Sequence, residues 1–197
     1  AYRSRGAENR IRSRSTMVRT ADKPALGLEL SAAFNYTAEN FMAANIAAIF
    51  MEDAVAKAAA KDGWILDARS SILMFPEESL VMDLLLERAD PDGLPASMVC
   101  ETSARTVLAH IREAISRAGA AGIDEDELKI GKSILSNLYK SWSDDPKTLT
   151  RLLVLRYSYG KDLLSDYAGK ISSVTVRSVN PIMASLSRDG IAEYVQQ

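Results

Sequence analysis

The chain has 197 residues, 47% of them hydrophobic, enough to bury one good core rather than two. A formal net charge of −2 argues against a general nucleic-acid binder, and a single cysteine, Cys100, excludes an internal disulfide. One histidine, His110, excludes a zinc site built from two or three imidazoles, and no apolar run approaches the length of a membrane span.

The charge is unevenly spread. Residues 1–20 hold six arginines against one acid, Glu8, so the rest of the chain is more acidic than the net figure suggests. Residues 1–16 (AYRSRGAENRIRSRST) contain almost no apolar side chains and read as a basic linker or arm. Arg10, Arg12 and Arg14 alternate, which in an extended conformation sets three guanidinium groups on one side. Such an arm can grip phosphate; lacking interleaved aromatics, it reads better as a solvated connector docking on the acidic remainder. Beginning at Ala1 with neither a methionine nor an apolar leader, the chain is expected to be a piece of something longer, with residues 17–197 forming one domain.

A short strand is predicted at 17–20, then a turn at Asp22-Lys23-Pro24. Residues 28–36 have the alternation of a strand. Thr37 then opens a long helix: its hydroxyl can accept from a first-turn amide, and Asn40 can reach back. Gly63 stops that helix. In between, Met42, Ile46, Ile49 and Phe50 with Ala43, Ala47, Ala54 and Ala58 make a ribbon narrow enough for close approach to a sheet. Residues 64–75 read as a strand and Pro76-Glu77-Glu78-Ser79 as a turn. Leu80, Met82, Leu84 and Leu86 then alternate with Val81, Asp83, Leu85 and Glu87. That pattern suits the second arm of a hairpin, although the leucine run also suits a helix.

Asp90-Pro91-Asp92-Gly93 closes that element, and Pro95 fits a first helical turn. Cys100, Ala104, Val107, Leu108, Ile111, Ala114, Ile115 and Ala118 form a stripe at helical spacing, ended by Gly119 and Gly122. This second long helix is expected beside the first, on the same face of the sheet. Asp124 and Glu127 make a capping box for a third helix reaching about Trp142, with Leu128, Ile134, Leu135, Leu138, Tyr139 and Trp142 largely on one side. Asp144-Asp145-Pro146 starts a fourth, carrying Leu149, Leu152, Leu153 and Tyr157 to a stop at Gly160. A short helix over 161–171 follows. Thr175 caps one more, which Pro181 should bend or interrupt if it lies past the first turn. A strand at 191–195 can pair with an edge of the sheet.

Chemistry is sparse. His110-Ile111-Arg112-Glu113-Ala114 reads as H-x-x-E-A, a metalloprotease helix whose final ligand is alanine, so His110 reads as a surface histidine near Glu113. Cys100 lies on the apolar stripe and reads as a buried, inert thiol. Asp144 and Asp145, or Glu77 and Glu78, fall at helix starts and turns, where acids have structural duties. No glycine-rich phosphate loop occurs. Tyr139, Trp142, Tyr157, Tyr159 and Tyr167 cluster on the C-terminal helices, which is read as helix packing rather than a ligand cage.

In its C-terminal third the chain resembles a known family. Arg156-Tyr157, Gly160-Lys161-Asp162-Leu163, Tyr167, Ile171 and Val174-Thr175 are similar to the closing helices of the pitrilysin/insulinase zinc metallopeptidases and their mitochondrial processing peptidase relatives. The run from Ile123 to Lys132 resembles the acidic-capped helix before them. The resemblance decides 80–87 for strand. It implies an α+β, two-layer sandwich: a mainly antiparallel sheet with helices packed on one face. Members close two halves like a clamshell on a peptide. One half carries H-x-x-E-H; the other often supplies an Arg and a Tyr, seven apart, where its first helix meets the next strand. Here the first helix has no histidine, and alignment on Gly63 places Ala59 and Leu66 at the Arg and Tyr positions. Neither can donate a hydrogen bond to a tetrahedral intermediate.

The resemblance therefore implies a non-catalytic half-domain that encloses peptide substrate and docks on a catalytic half-domain or subunit of the same family. No catalytic, cofactor-binding or metal-binding residue is expected on this chain, with zinc possible in a partner half. Neither nucleic acid nor a membrane is expected as a partner. A protein-interaction or scaffold module of the same fold is the alternative, and a basic-arm nucleic-acid binder a third.

Overall fold

The computed structural model describes residues 14–18, 25–33, 35–75, 79–88, 104–188 and 190–196. The expected turns at 22–24, 76–78 and 90–93, together with Pro95, Cys100 and residues 1–13, lie outside the described residues.

Alternation in sequence becomes the two faces of a sheet. Strands β1 (Arg14–Val18), β2 (Ala25–Ala33), β3 (Trp64–Phe75), β4 (Ser79–Arg88) and β5 (Gly190–Gln196) lie in the order β1-β5-β2-β4-β3. All pairs are antiparallel except β1 with β5. Leu26, Leu28 and Leu30 of β2 stand directly opposite Leu86, Leu84 and Met82 of β4, and all six are buried. The residues between them, such as Glu29, Asp83 and the exposed Leu85, point to the other face. The ambiguous leucine run is therefore a strand. Strand β2 starts three residues earlier than 28–36, because the alternation that finds a buried face begins at Leu26. Tyr36 falls instead in the turn before the helix.

That helix, α1 (Ala38–Lys61), begins as expected: the Thr37 hydroxyl accepts from the Asn40 amide at 3.1 Å. The Asn40 side chain reaches back one step further, to the Asn35 carbonyl at 2.8 Å. The helix ends at Asp62, and Gly63 takes the left-handed turn, φ +74°, that sends the chain into β3. Every residue from Phe41 to Ala48 is buried. A helix apolar all round must be enclosed all round, and α1 packs on the sheet and on α2 (Ala104–Ala121), α3 (Glu125–Asp144), α5 (Tyr167–Ser173) and α6 (Val176–Leu186). Met42, Ile46, Met51 and Val55 are fully buried, each contributing roughly 1.5–3 kcal/mol relative to exposure. The result is the two-layer α+β arrangement expected.

Several local expectations shift. Gly119 does not end α2; it lies inside it, and a Cβ there would stand 2.9 Å from the Met183 carbonyl oxygen of α6 and clash with Ser187. Close helix approach is what needs the glycine. Gly122, φ +65°, makes the stop. In α3 the capping box forms, Asp124 accepting from Glu127 N at 2.8 Å and Glu127 accepting from Asp124 N at 3.0 Å. Leu128, Leu135 and Tyr139 are buried, whereas Ile134 and Leu138 face solvent. Helix α4 (Pro146–Tyr159) starts at the Asp145 cap and stops at Gly160, φ +66°. Leu152 is buried, Leu149 and Leu153 are half-buried, and Tyr157 points outward.

The helix expected over 161–171 forms only as α5. Upstream, the Asp162 carboxylate accepts from Leu164 N and Ser165 N, a local turn that competes with helix. Those bonds, the Ser165 amide foremost, hold its carboxyl down at about 2. Pro181 does not interrupt α6, which runs on to Leu186. The carbonyl four residues back belongs to Arg177, an exposed residue, so the lost bond is not a buried one. The Asn180 side chain beside it is fixed to the Ile123 backbone, accepting from its N–H at 2.8 Å and donating to its oxygen at 3.2 Å. Strand β5 is not added at an edge; it is inserted between β1 and β2. Its Glu193, 1% exposed, faces the helices and receives two hydrogen bonds from the Arg112 guanidinium of α2.

Three outcomes follow from these contacts. Gly119→Ala should lose about 1–3 kcal/mol in urea denaturation, although alanine is the better helix former; a gain would show that α2 and α6 are not in close contact. Arg112→Ala strands a buried carboxylate and should cost roughly 2–4 kcal/mol in the same measurement, an unchanged midpoint refuting the pairing. Burial pushes the Glu52 carboxyl of α1 up to about 7. Between its ordinary value of 4.5 and 7 the folded chain holds a proton that the unfolded chain releases, so stability falls as pH rises through that window. Glu52→Gln should raise Tm by about 3–6 °C at pH 8 and hardly at pH 4; equal shifts at both would contradict the burial.

Candidate functional site

The concave feature that gathers titratable groups lies where α1 ends against α2. Asp62 closes α1, its N–H donating to the Ala59 carbonyl at 2.9 Å. Because Gly63 then turns the chain into β3, the Asp62 side chain is left beside α2, only 11% exposed. His110 comes across from α2 and places Nδ1 2.8 Å from Asp62 Oδ2. Ala58, Lys61, Glu113 and Arg117 complete a cleft of about 240 Å³. Glu113 lies one turn beyond His110 and pairs with Arg117 at 3.8 Å.

His110 is thus a surface histidine, as expected, and Glu113 shares its cleft. Its partner, however, is Asp62, 48 positions away in sequence. Chemically the cleft offers a carboxylate-oriented imidazole and two cations. No hydroxyl or thiol lines it.

The donor set does not fit the zinc ion that the fold family implies. The chain has one imidazole, and its Nδ1 is taken by Asp62. The final position of H-x-x-E-A is the half-buried Ala114. Among the described residues no group of three His, Cys, Asp or Glu is placed to hold a metal. At the junction of α1 with β3, Ala59 is fully buried against the core; Leu66 pairs in register with Leu86, and its side chain lies outside the described residues.

The aromatic cluster divides in two. Tyr139 stacks on Tyr167 at 5.0 Å and meets Trp142 at 4.8 Å, and its hydroxyl donates to the Leu163 carbonyl at 3.1 Å. Burial, with the nearby Tyr36 and Asp162, pushes the Tyr139 phenol far above its usual range. These three rings pack helices, as expected. Tyr157 and Tyr159 do not: they are 78% and 54% exposed. Nearby, the Lys161 ammonium lies 5.4 Å from the Tyr36 ring centroid and donates to the Tyr36 carbonyl at 2.8 Å, pinning the turn before α1. Asp145 caps α4, accepting from Thr148 N at 2.9 Å, and Asp144 ends α3, so both have the structural positions expected of them. Glu77, Glu78 and Cys100 lie outside the described residues.

Neither the Asp62–His110 pair nor the Lys161–Tyr36 clamp was legible in residue spacing. The only trace of the first was an acid set just before the helix-ending Gly63. Among the described residues no helix is long and apolar enough to cross a membrane.

No protein-family model and no curated protein matches the chain. Solved structures do. The periplasmic protease PqqL from Escherichia coli superposes with a TM-score of 0.69 at 13% identity, covering 94% of this chain and 20% of that one. The ferredoxin protease FusC, solved with Arabidopsis ferredoxin, gives 0.62 at 18% identity, over 93% of this chain and 20% of that one. A protease from Helicobacter pylori gives 0.65 at 11% identity, over 95% and 44%. The chain thus spans about one fifth of the length of the first two. An M16-like peptidase and an insulinase-family protease stand among the other matches. With five strands in one sheet, helices on one face and this set of neighbours, the chain has the M16/insulinase-like zinc-metallopeptidase fold.

Proposed function

We propose that this chain is a non-catalytic half-domain of an M16-like zinc peptidase, one that walls in a peptide and docks on a zinc-bearing half. The observation that carries the reading is an intact fold around a helix α1 without a single histidine, while the one histidine of the chain lies on α2 and is committed to Asp62. One solved neighbour, matched at a TM-score of 0.63 over 92% of its own length, is itself an inactive peptidase domain, from Bordetella parapertussis. Strand β3 supports the reading sterically. It pairs only with β4 among the described residues, so its outer edge can accept an extended peptide as an added strand. The irregularity between Asp67 and Ser71 breaks that edge into two shorter segments. Small residues at Ala59 and Ala114 leave wall and packing roles rather than chemistry.

The test is metal content and cleavage, alone and in combination. The purified chain should carry no stoichiometric zinc by elemental analysis and should leave unfolded peptides intact. Mixed with a zinc-bearing half of the same fold, it should form a one-to-one complex that cleaves faster than that half alone. Stoichiometric zinc and cleavage by the isolated chain would overturn the proposal. A one-to-one complex without any gain in cleavage would favour the scaffold role instead.

A further inference from the structure

Seven large apolar side chains are conspicuously exposed among the described residues, and six of them lie on α3 and α4. On α3, Ile130, Ile134 and Leu138 follow one another at four-residue spacing, 55%, 39% and 39% exposed. They form a second stripe beside the buried Leu128, Leu135 and Tyr139. On α4, Val154 and Tyr157 share the outer face with Lys147 and Arg151, all four exposed. Single exposed leucines need no account, but apolar stripes on two helices joined by one residue, Asp145, mark a surface that something covers.

Charge says what covers it. From Pro146 to Tyr159, α4 carries Lys147, Arg151 and Arg156 and no acid. Helix α3 opens with Glu125, Asp126 and Glu127, all exposed, just before the Ile130 stripe; Lys129 pairs with Asp126 at 2.6 Å, and the start of the helix stays net acidic. One chain therefore presents both an apolar surface with an acidic end and an apolar surface with a basic rim. We propose that the α3–α4 face docks on a second copy of this chain, the acidic start of α3 in one copy lying against the basic face of α4 in the other. A two-fold axis makes that contact twice, since α3 and α4 exchange roles between the copies.

The size sets the strength. Helices of 20 and 14 residues are about 30 and 21 Å long at roughly 10 Å wide, so the face offers about 500 Å² per copy. About 1,000 Å² in total is the floor for a specific interface, which makes this a weak dimer with Kd on the order of micromolar. With rim charges supplying part of the attraction, added salt loosens it.

Sedimentation velocity over about 1–500 µM protein, at low salt and at roughly 0.5 M NaCl, is the test. The wild-type chain should pass from monomer to dimer with rising concentration, and the midpoint should move to higher concentration in salt. Tyr157→Glu and Ile130→Glu alter side chains that are 78% and 55% exposed; each should weaken the dimer at least about tenfold, with Tm little changed. A chain monomeric throughout overturns the proposal, and so does a dimer that both variants leave intact, which must use another surface. Retention on phosphatidylserine vesicles, or a one-to-one complex with a zinc-bearing half, lost in Tyr157→Glu and without any homodimer, would assign the face to that occupant and equally overturn it.

Discussion

Enclosure of α1 is the constraint on which the other elements depend. Eight consecutive buried residues, Phe41 to Ala48, leave no side of that half of the helix for water. Four of the eight are alanines, and an alanine surface brings its neighbours close rather than holding them at the distance a leucine would set. The neighbours answer with small residues of their own. Gly131 lets α3 approach so near that a Cβ there would meet Ile46 Cγ2 at 2.8 Å. Gly119 does the same between α2 and α6 one layer away. The sheet supplies the flat surface below, and the helices close the remaining sides.

Much of this was legible because it rests on local rules. Thr37, Asp124, Asp145 and Thr175 each cap the helix that their position announced, and Gly63, Gly122 and Gly160 turn with positive φ where a stop was needed. Strand β3 has the bounds that composition gave it. What was not legible depends on partners far away in sequence. Gly119 looks like a stop until α6 is seen beside it. Ile134 and Leu138 look like core until the inner ridge of α3 is found to be filled by Leu128, Leu135 and Tyr139. Asp162 looks like helix until its carboxylate takes the Leu164 and Ser165 amides. The insertion of β5 between β1 and β2 has no sequence signal at all, since strand order is a property of the whole fold.

The candidate site shows the same division. That the chain has too few imidazoles for a zinc site built from two or three of them could be read by counting; that the one it has pairs with Asp62 could not. The pairing ties the last turn of α1, where that helix would otherwise fray, to the side of α2. Arg112 with Glu193 ties α2 to β5 at the opposite, sheet side. Among the described residues these polar contacts fasten elements to one another.

The place of β5 in the sheet carries a consequence for how the chain reaches this state. Among the described residues β1 has β5 as its sole strand partner, and the other three strands and all six helices lie between the two in sequence. While the polypeptide emerges from a ribosome, β1 lacks that partner, and β2 offers an unfilled edge, until β5 has been made. Helices and the β3–β4 hairpin can organise early from near neighbours, but the sheet is sealed by its most distant pairing, which is also the one with the largest closure entropy. The sheet is thus closed by a strand entering a gap that has stood open since β1 was made.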